Sequence, residues 1–168
     1  MNNKKIINLE KLATVVKKYK RSRKKIVLCH GVFDLLHLGH IKHFEEAKQH
    51  GDLLVVTVTE DHYVNKGPGK PVFSLQQRLE ALSALNVVDF VSANKWESAI
   101  GTIKIIKPNV YCKGPDYKNN ALDYTKKILD EKKAVKSVGG KIEYTSDRTV
   151  FSSSNILNKF GNIYSDKQ

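Results

Sequence analysis

Apolar residues fall along this chain in two alternating patterns. Ile26-Val27-Leu28-Cys29, Leu53 to Thr59, Val87 to Val91, Asn109 to Lys113 and Lys141 to Thr145 are short, continuous, β-branched runs. Runs of that length and type read as strands buried on both faces. Helical spacing fills the intervals. Leu9, Leu12, Val15, Val16 and Tyr19 form one stripe over about Asn8 to Tyr19, and Ile41, Phe44 and Ala47 another from about Gly39 to His50. Ser74 caps a helix carrying Leu79, Leu82 and Leu85, and Trp96–Ile106 and Leu122–Ser137 predict two more. Gly51-Asp52, Lys107-Pro108 and Gly139-Gly140 are stop signals, and Ser152-Ser153-Ser154-Asn155 opens a last helix.

Strands alternating with helices predict an α/β fold, a Rossmann-like doubly wound parallel sheet of about five strands in a single domain. Residues 1–23 form an N-terminal amphipathic helix and basic connector, 24–160 the domain, and 161–168 a polar tail. In such sheets ligands sit beyond the carboxyl ends of strands. Four suspicious segments follow strand ends: HGVFDLLHLGH, the glycine- and lysine-bearing loop DHYVNKGPGKPV, KGPDY, and SDRTVFSSSN. One pocket collecting all four is the economical expectation.

Composition narrows the function classes. The chain has 168 residues, 40% apolar and 27% charged, with no apolar run near the length of a membrane span. Its first residues lack the apolar centre of a signal peptide, and Cys29 and Cys112 read as small core residues. The cytoplasm is therefore the expected location, with no membrane partner. A net charge of +12 suits either nucleic acid or phosphorylated substrates. Only Arg21, Arg23, Arg78 and Arg148 of the 29 basic residues are arginines, so the arginine forks that read bases and clamp backbones are scarce. Seven basic residues between Lys17 and Lys25 can touch nucleic acid, but a solvated helix end and connector accounts for them more simply.

The candidate chemistry centres on His37 and His40, separated by Leu38-Gly39 where a helix begins after a buried strand. Two imidazoles beside a glycine at a helix N-terminus make a site for phosphate oxygens, because the backbone can approach the ligand and its N–H groups point outward. Zinc is the rival use of histidines, and a spacing of three with no cysteine or carboxylate pair nearby gives it little support. Lys66 and Lys70 stand in the loop after the second strand as point charges suited to a phosphate, or equally to solvent.

GVFDLLHLGH closely resembles the G-x-F-D-x-x-H-x-G-H signature of the nucleotidylyltransferase superfamily. KPVFSLQQR resembles the segment where that superfamily turns an arginine, here Arg78, towards the active site. YCKGPDY is similar to the K-G-x-D-Y stretch of the heptose 1-phosphate adenylyltransferases, the nucleotidyltransferase half of bifunctional ADP-heptose synthases. SVGGKIEYTSDRTVFSSSNIL resembles the family's closing strand, loop and helix. The likeness runs over roughly residues 24–160. Glycerol-3-phosphate cytidylyltransferases share the first motif, but their acidic G-D-D-W stretch differs from Gly114-Pro115-Asp116-Tyr117, and a lysine they usually carry is absent after Asn155.

The resemblance implies transfer of a nucleotidyl group, AMP from ATP, to a sugar phosphate such as a heptose 1-phosphate, with CTP chemistry or a non-catalytic nucleotide- or RNA-binding domain as alternatives. His37 and His40 would be catalytic. Val32, Phe33, Gly39, Gly114, Asp116, Arg148, Ser152, Ser153 and Ser154 would bind the nucleotide, with Phe33 and the Gly114–Asp116 loop beside the base. Asp34, Lys66, Arg78 and Lys113 would bind the acceptor, Asp34 by orienting its hydroxyls. For Lys66 and Arg78 the alternatives are a solvated lysine and an arginine paired with a carboxylate such as Glu80 or Asp89. Mg²⁺ is expected with the triphosphate, though no protein ligand for it can be named. A fused or partner sugar-kinase domain is implied, and a homo-oligomer is left open.

Overall fold

The computed structural model describes residues 4–118 and 127–146. The predicted Ser152 helix, the polar tail, and the start of the Leu122 helix lie outside them. Five strands, β1 (Ile26–Gly31), β2 (Leu53–Thr59), β3 (Phe90–Asn94), β4 (Val110–Lys113) and β5 (Lys141–Tyr144), form one sheet in the order β3-β2-β1-β4-β5. Every pairing is parallel. The helices are α1 (Leu9–Arg21), α2 (Leu38–Lys48), α3 (Leu75–Ser83), α4 (Ile100–Ile106) and α5 (Ile128–Ser137).

Alternation along the strands divides the core into two layers. Ile26, Leu28, Leu53, Val55 and Tyr111 pack against apolar residues of α1, α4 and α5. Val27, Cys29, Leu54, Val56, Val58, Val110 and Cys112 pack against Phe44 and Ala47 of α2 and Leu79 and Leu82 of α3. Burial on both faces is why these strands read as unbroken apolar runs. Strand order reverses at β1, leaving the crevice for ligands between the carboxyl ends of β1 and β4.

Local signals set most boundaries. Asn8 accepts from the Lys11 amide to cap α1, and Ser74 and Gln77 form a capping box at α3. Gly140 has to be glycine, since a Cβ there would stand 2.4 Å from the Pro108 carbonyl oxygen. Two expectations are corrected. β3 is Phe90–Asn94 rather than Val87–Val91. The Val88 amide closes a turn onto Leu85, and the Asp89 carboxylate takes the Leu54 amide at 2.7 Å, so the strand starts only afterwards. α4 begins at Ile100 rather than Trp96, because the buried Asn94 amide donates to the carbonyls of Trp96 and Ser98 and holds that stretch in turns. The outer edge of β3 is covered by the chain's own start. The Ile7 amide donates to the Val91 carbonyl, and the Val91 amide to Lys5.

Candidate active site

β1 runs two residues beyond its predicted end and delivers the chain into a tight turn, where Phe33 and Leu35 take positive φ angles of 50° and 47°. α2 then starts at Leu38 with His37 as its N-cap, and no side chain caps it. The Leu38 and Gly39 amides are left without a partner among the described residues, as open N–H groups at the positive end of a helix. The rings of His37 and His40 stack over this opening with centroids 3.9 Å apart. His40 is held from behind by the edge of Phe33 at 5.4 Å, and Phe33 by Phe44 at 5.0 Å. Burial, then His37, His43 and Lys66, push the His40 pKa down to about 3. A neutral imidazole stands here, with His37, His43 and Lys66 around it favouring an arriving anion and the Asp34 carboxylate opposing them. Its Nδ1 is buried with no hydrogen-bond partner among the described residues.

The loop from β2 to α3 is pinned beside this turn by two charges of opposite sign. Arg78 donates from Nη1 to the Val32 carbonyl at 2.6 Å, from Nη2 to the Thr59 carbonyl at 2.8 Å, and from Nε to the Phe73 carbonyl at 3.0 Å. Its Nη2 also meets Asp61 at 2.6 Å, and the arginine side chain is 0% exposed. The Asp34 carboxylate accepts the amides of Val72 at 2.7 Å, Phe73 at 3.0 Å and Leu35 at 3.1 Å. Both side chains expected to serve the acceptor are therefore already engaged within the protein. Arg78 is fully buried, and Asp34 holds three backbone amides while its charge also reaches His40 and Lys66. The arginine does pair with a carboxylate, but with Asp61 rather than Glu80 or Asp89.

Lys113 is engaged in the same way. At the end of β4 its ammonium lies 3.6 Å from Glu131, with the side chain 7% exposed, and sits over the Tyr117 ring at 4.0 Å. Glu131 also accepts from the Tyr111 hydroxyl at 2.9 Å and the Ala99 amide at 3.0 Å. Gly114 and Asp116 lie just beyond, at the mouth of the crevice: Gly114 starts a short 3₁₀ turn with open space above it, and Asp116 is exposed. Lys66 is the expected acceptor residue whose charge stays available. It is exposed and makes no hydrogen bond or ion pair among the described residues, yet enough protein crowds its ammonium to lower its pKa by desolvation, with Lys70 adding and Asp34 opposing. Arg148, Ser152, Ser153 and Ser154 lie outside the described residues.

Sequence reasoning missed three contributors. His30, at the end of β1, meets the hydroxyls of Thr57 at 3.1 Å and Thr59 at 3.4 Å, and burial foremost lowers its pKa to about 4. His43 on α2 meets the Thr145 hydroxyl at 3.0 Å, and Glu46 accepts the Ser146 amide at 2.9 Å, tying the helix of the histidine pair to the end of β5. For His30 the available signal was a polar residue continuing an apolar strand run; for the α2 pair nothing local gives it away. Among the described residues no three histidine, cysteine or carboxylate side chains converge as a metal site. With Asp34 committed to amides, the described residues show no ligand set for Mg²⁺.

Comparison with known proteins agrees with this geometry. Residues 28–159 match the family model described as cytidylyltransferase-like. The bifunctional protein HldE of Sulfurimonas denitrificans is 40% identical over 138 residues, which is 81% of this chain and 29% of that protein. HldE of Geotalea uraniireducens is 37% identical over 92% of this chain and 31% of its own length. The chain thus spans about a third of the curated relatives it matches. The crystal structure of the lipopolysaccharide core biosynthesis protein of Thermoplasma volcanium superposes with a TM-score of 0.61 at 31% identity, covering 75% of this chain and 99% of that one. Pantoate-beta-alanine ligase of Francisella tularensis shares the fold, with a TM-score of 0.63 at 20% identity over 95% of this chain and 77% of that one.

Proposed function

Given that the chain belongs to the cytidylyltransferase-like family and is a nucleotidyltransferase, we propose that it transfers AMP from ATP to a sugar phosphate such as a heptose 1-phosphate, releasing pyrophosphate. The observation that carries the reading is the stacked His37–His40 pair over an uncapped helix start at the crevice between β1 and β4. A sugar phosphate is an anion at neutral pH, its second pKa being about 6, so its oxygen needs no general base. That oxygen attacks the α-phosphorus, the bond from this phosphorus to the bridging oxygen breaks, and the pyrophosphate leaves with the electron pair. The triphosphate enters as its magnesium complex, a substrate; no protein ligand is assigned to the metal. The chain's own part is to align the reactants and to stabilise the charge spreading over the phosphoryl oxygens. The Leu38 and Gly39 amides and the two imidazoles are the donors for that charge, and the triphosphate draws a proton onto the His40 ring, which is otherwise held neutral.

Lys66 serves the acceptor phosphate. The serine-rich turn Ser152–Ser154 and Arg148 serve the β- and γ-phosphates, and the Gly114–Asp116 loop lies beside the base. Adenine over cytosine rests on the K-G-P-D-Y stretch. The Thermoplasma neighbour, a lipopolysaccharide core biosynthesis protein, favours a sugar acceptor. The relatives are bifunctional and about three times as long, which fits a sugar-kinase activity supplied by the same chain or a partner. A pyrophosphate-release screen of four nucleoside triphosphates against sugar and polyol phosphates tests the proposal. ATP with a sugar 1-phosphate should turn over fastest. Preference for CTP with a polyol phosphate replaces the substrates, and release from no pair overturns the enzymatic reading.

A further inference from the structure

A second concave surface lies at the opposite end of the sheet. α1 ends at Arg21, shortly before β1 begins, and α4 ends at Ile106, shortly before β4, so their last turns meet beside the amino ends of the strands. Between them runs a cleft of about 610 Å³. Ala13, Val16, Ile105 and Ile106 give it an apolar lining, with Ile105 43% exposed, and Lys17, Lys20, Arg21 and Lys107 rim it. Among the described residues no carboxylate reaches any of these four cations. Lys20 instead donates to the Lys107 carbonyl. Burial and the neighbouring Lys107 charge lower the Lys20 pKa, so the rim is self-repelling and short of negative charge.

α1, one wall of the cleft, lies outside residues 28–159 that match the family model, although relatives three times as long align over 97% of this chain and so include it. The cleft is therefore separate from the catalytic crevice in position, and one of its two walls lies outside the family match. We propose that it docks an acidic amphipathic helix of a protein partner, with apolar side chains seated between α1 and α4 and flanking carboxylates on Lys17, Lys20, Arg21 and Lys107. A trough between two helices receives a third through an i, i+3, i+4 stripe, and unsatisfied cations at its rim select acidic flanks. Charge disfavours the nearer candidates. A second copy carries the same +12, and residues 147–168 of this chain have two aspartates against Arg148, Lys159 and Lys167. Nucleic acid is disfavoured by the apolar lining, which offers no aromatic ring for stacking.

Fluorescence anisotropy on the full chain tests this with a labelled 18-residue helix carrying leucines on one face and glutamates on both flanks, against a scrambled peptide of the same composition. Binding of the ordered peptide should fall with salt, and fall at least tenfold in Lys17→Glu/Lys20→Glu/Arg21→Glu and in Ile105→Glu. Pyrophosphate release should stay at the parent rate in both variants, which also reports that they are folded. Equal binding of the scrambled peptide, no loss in the variants, or tighter binding of a single-stranded RNA oligomer or of anionic lipid vesicles would overturn the proposal.

Discussion

The His37–His40 helix start and the bracket around Arg78 lie at the same end of the sheet, and each keeps polar groups away from water. They do so in opposite ways. In the bracket the guanidinium spends four of its five N–H donors on Val32, Thr59, Phe73 and Asp61, and the Asp34 carboxylate takes three amides. At the helix start the His40 ring is desolvated, with His37, His43 and Lys66 outweighing the Asp34 carboxylate around it, and two amides remain open. Buried charge with every partner in place is scaffolding, whereas buried donors held beside like charge wait for a ligand. The bracket fixes the turn that carries the histidines, so Arg78 is a positioning residue.

The contrast breaks first at Arg78. Arg78→Ala leaves three carbonyls without this donor and should cost about 1–3 kcal/mol for each one left buried and unpaired, whereas the Asp61 carboxylate, 47% exposed, stays solvated. Arg78→Lys should not restore it, since one ammonium cannot span four acceptors. Denaturant midpoints measure both. A stable Arg78→Ala whose only defect is a raised acceptor KM would return the arginine to the substrate. Next in size, His37→Ala and His40→Ala should each lower turnover at least ~100-fold, as for one oxyanion donor, with the unfolding midpoint little changed. Loss of the midpoint together with activity would make the pair scaffolding too.

How much of this the sequence discloses depends on the range of the interaction. β1, β2 and β4 and the histidine pair are legible because continuous apolar runs and a helix-start motif are local. β3 is displaced because Ser92 and Asn94, buried polar residues, interrupt its apolar signature, while Val87 and Val88 imitate one. Residue type also fails to say where a side chain points. Arg78, Asp34 and Lys113 are charged residues in the right loops, and all three turn inward to partners. The Glu46–Ser146 tie joins residues 100 positions apart and leaves no local trace.

A pH experiment sharpens the contrast from the side of the histidines. His40 and His30 have folded pKa values of about 3 and about 4, below the ordinary 6.5, because burial disfavours the charged ring. Protons therefore bind the unfolded chain first. The stability these groups contribute is complete above pH 6.5 and is lost as pH falls towards 4. By pH 5 each should account for about 2 kcal/mol of lost stability. The midpoint should drop from pH 7 to pH 5, and His30→Gln should remove part of the drop. A midpoint that is flat or rises over this interval would mean that the rings are not held neutral.

The smallest effect belongs to Lys66, and it decides whether the loop of the bracket carries function as well as structure. The bracket holds residues 72–73 on Asp34, and Lys66 sits in the same loop, close enough to His40 to depress its pKa. Its ammonium has no hydrogen bond or ion pair among the described residues; the Asp34 charge steadies it from a distance, and Lys70 repels it. The acceptor enters opposite the departing pyrophosphate, so a cation for it has to be distinct from those holding the triphosphate. Lys66→Ala should raise the acceptor KM about tenfold, the loss of one charge-assisted hydrogen bond of about 1.5 kcal/mol, while the nucleotide KM and the unfolding midpoint stay put. Lys66→Arg should recover part of the affinity, because the charge is restored on a different geometry. An equal rise in both KM values would place the lysine on the triphosphate. No change in either would make it a solvated loop residue, and the acceptor's cation would then have to be sought elsewhere around the crevice.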